Sequence, residues 1–173
     1  MSFPPTFLSA VDKWKRMRAR FEQRQVLKHE FELRILFEEE TYKIWGLYQQ
    51  SVVGNINVPK LDYMDPREES WMWSWIHGNR KWHAWNKCKG LSHLEAVELF
   101  TEEVESLERR LPDLIEEWKD SQDPRIPDPN AYVPEDQKAE RERQIAEGKK
   151  ARRERDAVKR AEEEQKGWWK EEC

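Results

Sequence analysis

Apolar residues recur along this 173-residue chain at the spacing of an α-helix and almost nowhere at the alternation of a strand. From Phe7 they fall at Phe7, Ala10, Val11, Trp14 and Met17, with Lys13, Lys15, Arg16 and Arg18 beside them, which predicts an amphipathic first helix with a basic flank. The sharpest local signal is Ser-His-Leu-Glu at Ser92 to Glu95. Ser92 can accept from the amide of Glu95 while Glu95 reaches back, the reciprocal arrangement of a capping box, so a helix starts at His93. Its stripe is Ala96, Val97, Phe100, Val104, Leu107 and Leu111. Proline suits a helix start and not an interior, so beyond Pro112 the chain is expected to resume as a new segment toward Trp118. Only 6 glycines and short β-branched runs support the same class, all-α.

Between these helices Val26, Leu27, Phe31 and Ile35 can share a face. Glu38, Glu39 and Glu40 suit the first turn of a second helix, where carboxylates meet the positive end of the dipole. That helix carries Tyr42, Ile44, Trp45 and Tyr48 and stops near Gly54; Asn55 to Tyr63 reads as an ordered loop. Arg80 to Cys88 reads as a short helix that buries Trp82 and Trp85 and closes near Gly90, where glycine relieves a left-handed cap. Trp71, Trp73 and Trp75 alternate at strand period, and their segment receives no assignment. They would cover a groove mouth, extend a cavity, form a partner surface or fill the core.

The chain is 38% charged, and 31 basic against 35 acidic side chains leave a net charge of -4. That supplies no global attraction to nucleic acid or to an anionic membrane, and leaves only local basic patches for such contacts. No nucleic-acid partner is therefore expected. No apolar run approaches the roughly 18 to 20 residues that span a bilayer, and no secretory signal is legible. Cys88 and Cys173 lie too far apart for a disulfide framework or a cysteine zinc site, which fits a reducing, cytoplasmic setting. His83, Cys88 and His93 are spaced onto different sides of a helix with a glycine between them, so no metal is expected. No nucleophile, base and orienting group come together in the sequence, and the chain reads as a non-enzyme.

From Asp120 the character changes. Pro124, Pro127, Pro129 and Pro134 predict an extended, solvated linker over 120–135. The segment 136–173 reads as a solvated helix or a disordered tail, with opposite charges at Asp156 and Arg160 and at Lys159 and Glu163 but no apolar heptads. Trp168 and Trp169 at its end are the feature there able to anchor a protein partner.

Two blocks carry a resemblance. Trp45 to Asn57 reads W-G-L-Y-Q-Q-S-V-V-G-N-I-N and Lys81 to Ser92 reads K-W-H-A-W-N-K-C-K-G-L-S. Together, in this order, they resemble the acyl-CoA-binding protein family, with its aromatic-Gly-x-Tyr-Lys-Gln block and its Lys-Trp-x-Ala-Trp-Asn block. Pro59 to Tyr63 resembles the loop between them, and the first-helix stripe repeats the family's spacing. The resemblance covers roughly Phe7 to Arg110, with longer connections around Arg20 to Phe37 and Met64 to Ile76, and sets a domain over 5–119. It implies a four-helix bundle in up-down-down-up order that shelters the chain of a long-chain acyl-CoA and grips its nucleotide. It implies ligand contacts at Val11, Lys15, Trp45, Tyr48, Gln49, Lys81 and Phe100. Gln49 stands where the family has a lysine for the ribose 3′-phosphate, and Phe100 where it has a tyrosine.

The chemistry of such a site follows from the ligand. Coenzyme A brings phosphate charges and an adenine with two π-faces, so its binder needs cations beside aromatic rings. Lys15, Arg18, Arg80 and Lys81 supply the first, and Trp45, Tyr48 and Phe100 the second. At about 0.8 kcal/mol per buried CH₂, a dozen methylenes contribute on the order of 10 kcal/mol before ordering costs, so burial of the chain dominates. The sequence thus reads as a monomeric carrier or pool former for acyl-CoA esters that needs no cofactor. The alternative is a degenerate domain serving as a protein-interaction module through its Trp-rich insertion and charged tail.

Overall fold

The computed structural model describes residues 3–22, 31–60 and 72–172. Among the described residues there are helices and no strands: α1 (Pro5–Glu22), α2 (Phe31–Glu40), α3 (Tyr42–Val52), α4 (Met72–Lys87), α5 (His93–Gln122), a 3-10 turn (Glu135–Gln137) and α6 (Lys138–Glu172). The chain divides into two compact units, Met1–Pro112 and Asp113–Cys173.

In the first unit, side-chain pairs fix the directions of the helices. Phe3 lies 5.1 Å from His93 and Phe7 5.1 Å from Phe100, ring centre to ring centre, so α1 and α5 run parallel. Lys43 pairs with Glu103 at 2.7 Å and the Ser51 carbonyl meets His93 Nδ1 at 2.8 Å, so α3 runs against α5. Tyr42 meets His77 and Trp45 meets Trp85, so α3 and α4 descend together. The bundle of α1, α3, α4 and α5 therefore has the expected up-down-down-up order.

The predicted stripe of α5 forms the middle of the core: Ala96, Phe100, Val104 and Leu107 are 0% exposed. Each large side chain so buried is worth about 1.5–3 kcal/mol. Helix α1 runs past Met17 because Phe21 stacks on Phe37 at 4.6 Å, both rings being buried. The long first connection thus contains a helix of its own, α2. Val26 and Leu27 lie outside the described residues, as does the side chain of Phe31.

Glu38, Glu39 and Glu40 end α2 and do not begin α3. The buried Thr41 breaks the helix: its φ of -104° and ψ of 8° leave the helical region, and its Oγ1 donates to the Phe37 carbonyl at 2.9 Å. Three carboxylates at a helix C-terminus oppose the dipole, and cations on other helices offset this. Glu39 takes Arg80 at 3.0 Å, Glu40 takes Arg110, and Glu38 sits 2.5 Å from His77 Nε2. His77 Nδ1 in turn meets the Tyr42 hydroxyl. Burial pushes the Tyr42 hydroxyl above its ordinary value, Glu38 and Glu39 add to this, and Arg80 opposes it.

Helix α4 starts at Met72, eight residues before the predicted Arg80, because the His77 and Arg80 pairings extend its contact with α2 and α3. Trp71 lies outside the described residues. The chain at Trp73 and Trp75 is helical and not strand-like, while their side chains lie outside the described set. Gly54 and Gly90 end α3 and α4 with φ of 101° and 94°, a region open to glycine. The Ser92 Oγ accepts the Glu95 amide at 3.1 Å, but the Glu95 carboxylate returns no bond among the described residues, so half of the capping box forms. Pro112 sits inside an unbroken α5, contrary to the expected restart. Leu111 before it and Ile115 after it are both buried, one in each unit, and packing on both sides offsets the lost amide.

The second unit is built from the end of α5, a turn segment and α6. The proline-rich stretch is folded as turns and not extended: the Asp123 and Asp128 carboxylates accept the Arg125 and Asn130 amides, each at 2.9 Å. Ile126 within it is buried. The charged segment is helical from Lys138 and is held by Arg152, whose side chain is 6% exposed. Its guanidinium donates to Asp120 at 2.6 Å, to Asp156 at 2.6 Å and to Glu116. Burial alone would raise the Glu116 carboxyl, but the Arg152 hydrogen bond and charge outweigh it and hold the group below its usual range. Trp168 and Trp169 lie outside the described side chains.

Candidate functional site

The residues that the sequence points to occupy α1, α3, α4 and α5 of the first unit. Val11 and Lys15 are one turn apart on α1, so they share a face. Lys15 is exposed and has no ion-pair partner among the described residues, while its neighbour Lys13 lies 3.7 Å from Glu108. On α3, Trp45, Tyr48 and Gln49 fall at i, i+3 and i+4, all half-buried. Lys81 projects from α4 with its Nζ 5.6 Å from the centre of the Trp45 ring, within cation–π reach. The structure thus joins two of the named residues directly, a cation and an aromatic face.

Tyr48 is held from behind. Trp14 packs on it at 5.6 Å and Phe100 at 5.9 Å, and Trp14 meets Phe100 edge-on at 5.8 Å. Phe100 itself is 0% exposed. Its ring is closed in by Phe7, Trp14 and Tyr48, so it packs behind the site from within the core. The Trp14 indole N–H is buried without a hydrogen-bond partner among the described residues. Gln49 offers its side chain beside Tyr48, and its carbonyl accepts the Val53 and Gly54 amides that close α3.

Three residues that position this face were not singled out as site residues. Gly46 lets α3 and α4 touch: a Cβ there would lie 2.5 Å from the Ala84 carbonyl oxygen. This contact sets Trp45 beside Lys81, and the aromatic-Gly pair in the first block was its sequence signal. Gln50, 2% exposed, donates to Asn55 Oδ1 at 2.9 Å and to the Leu91 carbonyl at 3.0 Å. Asn55 Oδ1 also accepts the Gly90 amide at 2.9 Å, so one amide oxygen ties the turn after α3 to the turn after α4. Trp82 and Trp85 add to this, their indole N–H groups donating to the Val58 and Gly54 carbonyls at 2.9 Å each. Trp85 is the core residue expected, whereas Trp82 is only half-buried.

Among the described residues no group of three or more His, Cys, Asp or Glu is placed to hold a metal, and no helix is long and apolar enough to cross a membrane. What the face offers is unpaired positive charge next to aromatic surface on a rigid bundle, a binding arrangement.

The sequence profile of the acyl CoA binding protein family matches residues 6–104. The chain belongs to this family. The match spans α1 to the first part of α5 and takes in α2, while the second unit lies beyond it. The family is one of binding proteins for acyl-CoA, not of catalysts, and the helical bundle agrees with its fold.

Proposed function

We propose that the chain binds long-chain acyl-CoA esters and serves as their intracellular carrier or pool former in the cytoplasm. The observation that carries this reading is the Lys81 ammonium standing over the Trp45 ring at 5.6 Å, with Lys15 unpaired on α1 of the same bundle. A phosphate-bearing nucleotide needs both kinds of group. In this reading Lys15 and Lys81 take the phosphates, Trp45 and Tyr48 face the adenine and pantetheine, and Val11 lines the chain. Gln49 contributes a neutral hydrogen bond where a lysine would contribute a charge.

Calorimetric titration with a long-chain acyl-CoA tests the assignment. A charge-assisted contact to phosphate is worth roughly 1.5–3 kcal/mol, so Lys81→Ala weakens binding about tenfold to a hundredfold, and Gln49→Lys tightens it by a similar factor. Unchanged affinity in both variants would remove this face from the ligand.

A further inference from the structure

The chain is 38% charged, yet two stretches, residues 1–11 and 44–59, carry no charged side chain at all. The fold brings Phe3, from the first, and Ser51 to Asn55, from the far end of the second, to one end of the first unit. Phe3 packs on His93, His93 Nδ1 meets the Ser51 carbonyl at 2.8 Å, and Asn55 holds Gly90, so the start of α1, the end of α3, the turn after α4 and the start of α5 share a pole. The exposed large apolar side chains described in this unit are Leu8 on α1, Val52 and Val53 at the end of α3, Val58 in the loop that follows, and Leu94 and Leu99 on the first two turns of α5. Val53 is 51% exposed and Leu94 62%. Around them stand Lys60, Lys87 and Lys89, exposed and without ion-pair partners among the described residues. The carboxylates on the first two turns of α5 are Glu95 and Glu98.

We propose that this pole docks onto a lipid bilayer carrying anionic headgroups. The composition of the patch selects the occupant. Protein interfaces are carried by aromatic and arginine anchors and are depleted in lysine. Here the exposed apolar groups are aliphatic, are spread over three helix ends and a loop, and are rimmed by lysine. Aliphatic tips that enter the acyl boundary, with lysines whose stems reach back to the headgroups, are what a bilayer surface accommodates. The cavity at this end, about 230 Å³ and lined by Gln50, Val53, Leu91 and His93 among others, is too small to seat a partner helix. The net charge of -4 makes the attraction local, so it brings this end to the surface in preference to the rest of the molecule. The proposal does not depend on acyl-CoA binding, since the pole lies at the bundle end and Lys81 and Trp45 do not belong to it.

The test is sedimentation of the full chain with phosphatidylcholine vesicles, with and without phosphatidylserine, in the absence of acyl-CoA. Partition onto the phosphatidylserine vesicles is expected, falling as salt is raised. The double variant Val53→Asp, Leu94→Asp, both at exposed positions, is expected to lower it about tenfold or more while circular dichroism stays unchanged. The pair Lys87→Glu, Lys89→Glu is expected to abolish the preference for phosphatidylserine. Absence of partition, partition indifferent to both variants, or binding of the patch to a protein in place of vesicles would each overturn the proposal.

Discussion

Replacing Gly46 by alanine tests the packing that sets the candidate site. The added Cβ would lie 2.5 Å from the Ala84 carbonyl oxygen, 2.6 Å from its carbon and 2.9 Å from the Trp85 nitrogen. All three are backbone atoms of α4, so no side chain can rotate out of the way. Ordinary contact requires about 3.5–4.0 Å between such atoms, so α3 and α4 must part by on the order of 1 Å. Overpacking of this kind costs typically 1–3 kcal/mol, at the upper end where backbone has to move. Alanine recovers about 1 kcal/mol of helix propensity over glycine. The net expectation is a loss of about 2 kcal/mol. Gly148→Ala is the contrast: its Cβ would meet Ile126 Cγ1 at 3.1 Å, a side-chain atom that can yield, so the propensity gain roughly offsets the contact. Urea unfolding of the full chain followed by tryptophan fluorescence and circular dichroism reads both variants. A neutral or stabilising Gly46→Ala would refute the close crossing, and with it the reason given for the juxtaposition of Trp45 and Lys81.

Other outcomes follow from particular contacts. Arg152→Ala leaves the buried Asp120 carboxylate without its main partner and is expected to destabilise the second unit by about 3 kcal/mol or more, seen as loss of helix signal at lower urea than in the parent. The same cluster makes this unit acid-sensitive. The Glu116 carboxyl is lower in the folded than in the unfolded state, so its stabilisation is complete above the ordinary glutamate range and is lost as pH falls through the folded value. A helix signal that does not weaken on acidification, and is no more acid-resistant in Glu116→Gln, would contradict this. Asn55→Ala removes one oxygen that accepts from both Gln50 and Gly90, and a loss of about 1–3 kcal/mol is expected by the same urea assay.

The bundle was largely legible from sequence because its apolar stripes are long and regular. The run from Ala96 to Leu111 states both a helix and its buried face, and every member is buried. What escaped was decided by partners distant in sequence. The three glutamates ending α2 look like the start of a helix until His77, Arg80 and Arg110 are seen to meet them. The proline-rich segment looked extended because its turns rest on side-chain oxygens of Asp123 and Asp128, and the helix after it was ambiguous because Arg152 is one arginine among many in the sequence. For the candidate site, the resemblance of two sequence blocks pointed to Trp45, Tyr48 and Lys81, but it could not show that Phe100 is enclosed. Its exposure depends on Trp14 filling the space between α1 and α3.

The central claim, that this bundle holds acyl-CoA esters on the face carrying Trp45 and Lys81, is tested most directly by titrating intrinsic tryptophan fluorescence with a long-chain acyl-CoA, free coenzyme A and the free fatty acid. Saturable quenching is predicted with the ester, weaker with coenzyme A and absent with the fatty acid, and the ester signal is reduced in Trp45→Phe. No change on adding the ester to the folded protein would contradict the claim.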